Sequence, residues 1–325
     1  MTRKLFVPAI LAAAVALPLA TGNTYFHHMM ALWMLFSLLA LSLNVIIGYV
    51  GELSFGHAAF FGIGAYVAAI LGMHTGLSGL EGLVLAALVA GLFGLVIGYV
   101  SLRIVGPQFA ILTLGFGSII YTVTNYWVDV TRGPMGISNI QPLNLIGAGF
   151  PLESAKGYYY LTLALVVAFA WACHALMTSR TGRAFIATRE NAPLAASLGI
   201  DVFRMKLLGF VVATAVAGVG GALYAHYLTV VTPDVMSLQY VAALIIMVII
   251  GGRGTIAGPI VGALIYVGLL EVLRALGPLR LVIFAGLLTT SVIFLPGGIV
   301  SLWLRFFGEK DPSGTAAASG EGAAK

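Results

Sequence analysis

The chain has 325 residues, of which 60% are hydrophobic and only 8% charged, with a mean hydropathy of +1.05. A soluble globule of this length needs a charged surface, so the composition excludes an ordinary water-soluble domain and leaves lipid as the solvent for most of the chain. The excess of basic residues, 16 against 11 acidic, would suit nucleic acid in a soluble protein; in a membrane chain it orients the spans instead, and no nucleic-acid partner is expected.

Taken in chain order, the apolar runs cover residues 5–21, 28–49, 55–73, 80–102, 108–127, 158–178, 206–231, 237–252, 256–275 and 279–304. A bilayer is crossed by roughly 17 to 25 apolar residues in a helix, whereas a β-barrel shows alternating segments of about 10 residues. These runs are long and continuous. The expected fold is therefore all-α: a polytopic transmembrane helical bundle of about eight to ten spans, ten if every run is counted. Residues 1–305 form the transmembrane domain, and residues 306–325, rich in Ala and Gly without apolar periodicity, form a disordered cytoplasmic tail. The first run also resembles a secretory signal peptide. Pro18 would occupy the −3 position if Ala20 were −1, and keeping the run leaves both charged ends on one side, so retention is expected. The run 55–73, opened by Ser54-Phe55-Gly56-His57 and carrying Gly62 and Gly64, reads either as a full crossing or as a broken, re-entrant helix. The single cysteine, Cys173, falls inside a span and reads as a packing residue.

With the N-terminus inside, the cytoplasmic side receives Arg3, Lys4, Arg103, Arg180, Arg183, Arg189, Arg204, Lys206, Arg253, Arg305, Lys310 and Lys325. The outer side keeps Arg132, Lys156, Arg274 and Arg280. The opposite orientation would put the densest basic loop, residues 179–206, outside. The positive-inside rule selects the first arrangement.

That loop is the most informative stretch. Asn191 is placed to cap a short helix, Pro193 suits its first turn, Leu194 and Leu198 share one face, and Gly199 is placed to close it. Ahead of it, Gly182-Arg183-Ala184-Phe185-Ile186 leads to the pair Arg189-Glu190, so charges bracket an apolar knob. Such a surface suits docking onto a soluble partner or lying among lipid headgroups. Two other stretches stand out. Residues 48–66 set polar groups inside a glycine-rich membrane stretch, where His57 reads as a hydrogen-bonding group and Glu52 as interfacial. Residues 251–262 form a glycine-rich cytoplasmic turn that lacks the Lys-Ser/Thr of a phosphate loop. Gly258 with Gly262, and Gly94 with Gly98, read as close helix packing.

In this order and spacing the three stretches resemble the permease family of branched-chain amino acid ATP-binding-cassette importers, over about residues 28–305. The segment Arg180-Thr181-Gly182-Arg183, then Arg189-Glu190-Asn191, then Ala195 to Asp201, resembles the family's coupling loop. Residues 53–66, Thr131-Arg132-Gly133-Pro134-Met135-Gly136-Ile137 and residues 251–259 match further family patterns. The resemblance implies a permease that is not itself an enzyme and holds no cofactor, ATP being used by separate cytoplasmic ATP-binding-cassette subunits. It also implies a second homologous permease subunit, a periplasmic substrate-binding protein, membrane lipid around the bundle and a place in the bacterial inner membrane. Within the loop, Arg183, Arg189, Glu190, Leu194, Leu198 and Gly199 are the coupling candidates. Polar residues of the spans, Asn44, Ser54, His57, Thr113, Ser118 and Asn125, are candidates for lining a path or bridging helices. Relatives that carry urea or short amides keep the substrate open. An ion-coupled secondary transporter would need carboxylates at mid-membrane, where the span map puts none; a membrane enzyme would need a catalytic set that does not appear.

Overall fold

A computed structural model of the chain describes residues 12–19, 22–75, 79–104, 106–143 and 154–277, with isolated positions from 279 to 299. The expected first and last spans, residues 5–21 and 279–304, fall largely outside the described residues, as does the whole tail. Eight of the apolar runs between them are helices.

Helix α1 (Thr24–Asn44) is capped by the Asn23 side chain, which accepts the Tyr25 N–H, and runs into a π-helical turn over Val45–Val50. It is followed by α2 (His57–Thr75), α3 (Leu80–Ser101), α4 (Pro107–Tyr126) and α5 (Ala155–Thr178). Two short helices, α6 (Arg180–Glu190) and α7 (Ala192–Ser197), precede α8 (Val202–Leu228), and α9 (Leu238–Gly251) and α10 (Ala257–Val272) close the described bundle. Six of these, counting α1 with its π turn, are long and apolar enough to cross a membrane. At a rise of 1.5 Å per residue, α9 and α10 reach only about 21–24 Å, short of a hydrocarbon core of about 30 Å. They form two arms joined by the glycine-rich turn, which is why the region 237–275 is so tight in sequence.

Packing follows the small residues. A side chain at Gly64 would collide with the Gly218 backbone, and one at Gly221 with the Phe61 carbonyl, so α2 and α8 meet backbone to backbone. Gly94 and Gly98 admit Thr214 and Phe210 of α8, and Gly258 and Gly262 admit the α9 backbone. The expected close-packing role of both glycine pairs is what the structure shows. Helix α1, central to the bundle, buries nearly every side chain from Met34 to Asn44, whereas α3, α4 and α5 lie at the periphery and leave Val84, Leu88, Ile111, Ile119 and Trp171 exposed to face lipid.

The two ends of the bundle are distinct. At one end Gly48, Glu52, Arg103, residues 179–206 and Gly254 gather, tied by Arg189 to Gly48, Lys206 to Glu52 and Asn44 to Gly254. This end holds every described basic residue assigned to the inside. At the other, Ile137–Ser138 pairs antiparallel with Val230–Val231, and the His226 ring, Nδ1 at 2.7 Å, bonds the Gln141 carbonyl.

The run 55–73 is one continuous helix from His57 onward, long enough to cross a membrane, and the break in the chain lies just ahead of it. Gly51 adopts φ +86°, the chain then runs without helix through residues 52–56, and α2 starts only at His57. The Phe55 N–H donates to Thr113 Oγ1 at 3.1 Å, and a Cβ on Gly117 would lie 3.3 Å from Gly56 Cα. Thr113 and Gly117 stand roughly 9–15 Å along α4 from its start at Pro107. Helix α2 is thus preceded by an extended strap that runs alongside the first half of α4.

Candidate functional site

The basic loop is built locally as its residues dictate. Ser179 Oγ accepts the Gly182 N–H and starts α6, and Arg183 donates to the Thr178 carbonyl. Phe185 is buried against Gly209 of α8, while Ile186 is exposed. Asn191 accepts the Leu194 N–H at 3.0 Å, Pro193 sits in the first turn, and Gly199 at φ +83° lets the Ile200 N–H return to the Ala195 carbonyl. Leu194 and Leu198 are 56% and 73% exposed, large apolar side chains on a rigid two-ended cap. Six residues alone would not hold a helix in water, so the caps fix it.

Arg189 does more than pair with its neighbour. Its guanidinium holds Glu190 Oε1 and also donates to the Gly48 carbonyl at 2.5 Å, joining the loop to the π turn of α1. Its aliphatic stem occupies the space that any side chain at Gly51 would need. At the end of the loop, Lys206 pairs with Glu52 at 2.5 Å with both side chains nearly buried.

In the membrane body a cavity of about 380 Å³ opens between the strap, α4 and the start of α9. Its polar wall is Ser118, Tyr121, Thr122, Ser237 and Gln239; its apolar wall includes Phe55, Leu114, Met236, Leu238 and Val241. Mixed walls of this kind accept a small solute with one polar and one apolar part.

Of the polar residues singled out from the spans, Ser118 lines this cavity. Thr113 lies beneath it, donating to the Ala110 carbonyl while accepting from Phe55. Asn44 bridges to the 254–255 turn, and His57 Nε2 sits 2.8 Å from Ser42 Oγ. Ser54 is fully buried with its hydroxyl unpartnered, and Asn125 lies at the outer part of α4 with its carbonyl against Gly133. Tyr121, Met236 and Gln239 were not anticipated. The one available signal was Ser237-Leu238-Gln239, polar residues opening an apolar run.

The family described as "Branched-chain amino acid transport system / permease component" matches residues 25–295. Among curated relatives, the high-affinity branched-chain amino acid transport system permease protein LivM of Salmonella typhimurium is 31% identical over 92% of this chain and 75% of its own. The corresponding protein LivH of Escherichia coli is 27% identical over 82% of this chain and 91% of its own. A probable branched-chain amino acid transport permease protein LivM of Methanocaldococcus jannaschii is 23% identical over 74% and 79%. No solved structure matches the chain to a significant degree.

Proposed function

Because the chain belongs to the branched-chain amino acid transport permease family, as a multi-pass inner-membrane permease subunit, we propose that it carries branched-chain amino acids inward under the drive of a separate cytoplasmic ATPase. The observation that carries this reading is the capped helix α7, which leaves Leu194 and Leu198 exposed at the basic end of the bundle. Exposed leucines on a rigid knob at the basic end fit insertion into a groove of a soluble subunit. ATP is bound and hydrolysed there, so this chain needs no cofactor. The cavity bordered by Met236 and Tyr121 faces the outer half of the bundle and suits receipt of solute from a periplasmic binding protein, with a second homologous permease completing the path.

Among the described residues every carboxylate sits at a helix end or in a loop, including Glu52 in its ion pair and Glu271 beside Arg274. An ion-coupled carrier needs one at mid-span. Leu198→Asp tests the reading by placing a charge where burial is expected, at a cost of roughly a few kcal/mol if it stays unpaired. The variant should reach the membrane at normal level yet lose uptake and co-purification with the ATPase. Wild-type uptake and ATPase capture would mean that α7 rests on lipid headgroups instead.

A further inference from the structure

Both flanks of the basic loop grip one stretch of chain. Arg189, at the end of α6, holds the Gly48 carbonyl, and Lys206, in the first turns of α8, holds Glu52, four residues further along. Between these tethers lie the end of the π turn and Gly51. A π turn closes i→i+5 rings, as the Gly51 N–H does on the Ile46 carbonyl at 2.8 Å, and such turns concentrate at functional positions. Beyond Glu52 the extended strap ends on Thr113 and Gly117, and its Phe55, with Ala59 one turn into α2, forms part of the wall of the outer cavity. A continuous covalent path of some ten residues therefore runs from the cytoplasmic docking region to the cavity. It has few helical bonds to hold it stiff in one place and two charged anchors to pull it.

Resting on the permease reading above, we propose that residues 45–56 are the lever that carries movement of the coupling loop to the transport cavity, and that the Glu52–Lys206 ion pair is the contact that positions it. The pair is 14% and 12% exposed at its side chains, so breaking it strands a charge in a low-dielectric joint. Apolar packing would hold the same joint but leave the two elements free to slip. A buried ion pair fixes register, its best-attested role. Neither residue lines the cavity and neither is one of the exposed leucines of the knob, so the pair acts on transport through the strap.

The test uses the assembled importer, with its ATPase and permease partners, in vesicles. Glu52→Lys and Lys206→Glu, each alone, are expected to lower solute uptake per ATP hydrolysed by about tenfold while hydrolysis persists, and the double exchange is expected to recover most of it. A second readout places a reporter on the strap: Phe55→Cys in a Cys173→Ser background, with thiol reactivity measured with and without a non-hydrolysable ATP analogue. The analogue should change reactivity in the paired proteins and not in the single variants. Should a single variant fail to assemble, the double exchange decides, and its failure to restore assembly, uptake and the nucleotide response overturns the lever. Single variants with wild-type uptake per ATP overturn it as well. A wild-type assembly with no ATP-dependent uptake would sink the importer reading itself, which is a different result.

Discussion

Asn44 holds Gly254 across 210 residues of sequence: its Oδ1 accepts the Gly254 N–H at 2.8 Å while its Nδ2 donates to the Thr255 carbonyl at 2.9 Å. One buried amide thus satisfies two backbone groups of the turn between α9 and α10. Asn44→Asp removes the donor and sets a carboxylate against the Thr255 carbonyl, and Asn44→Ala strands both backbone groups. Each is expected to destabilise the bundle by about 1–3 kcal/mol, read as a lowered unfolding midpoint of the purified protein in detergent. An unchanged midpoint in both variants would remove the bridge from the stabilising contacts.

Two neighbouring glycines of α8 should answer differently to the same change. A methyl at Gly221 meets the Phe61 carbonyl, whereas one at Gly220 finds Phe61 ring atoms at 3.8 and 3.9 Å, ordinary contact. Gly221→Ala should reduce the yield of folded protein in the membrane, and Gly220→Ala should leave it unchanged. Equal behaviour would contradict the backbone-to-backbone seam between α2 and α8.

The helix end at Gly199 is strained for other residues by conformation alone, since no atom lies within 4 Å of an added Cβ while φ is +83°. Gly199→Val, β-branched at a left-handed position, should distort the end of α7 at a cost of about 1–2 kcal/mol or more. Gly199→Asn, which tolerates that region better, should retain more ATPase co-purification than Gly199→Val. Identical capture by the two would argue against a rigid cap being needed.

Orientation is checked by a cysteine at Ser197 after Cys173→Ser. An impermeant thiol reagent applied to intact cells should fail to label it and should label it in inverted membranes. Strong labelling from outside would reverse the topology.

The sequence made the loop legible because capping is a local matter: Asn191, Pro193 and Gly199 act on groups three to five residues away. The apolar runs were legible for the same reason, since span length and composition are local. Roles that depend on partners far along the chain were not. Asn44 and Thr113 read equally as lining a path or bridging helices, and the hydrogen bonds that tie them to backbone groups brought from elsewhere in the fold have no local signal. The break at residues 51–56 was hinted at by glycines, but its place beside α4 depends on Thr113, 58 residues beyond Phe55.

The π turn over Val45–Val50 also leaves a mark on comparisons between relatives. An i→i+5 ring holds one residue more than an α-helical ring, so the turn stores a single extra residue between Asn44 and Gly51 without shifting either neighbour's contacts. A relative whose first helix runs on as an ordinary α-helix would therefore be one residue shorter in this interval. An alignment that spreads the gap elsewhere would pair the wrong residues throughout the strap, assigning the partner of Lys206 to Gly51 or Leu53.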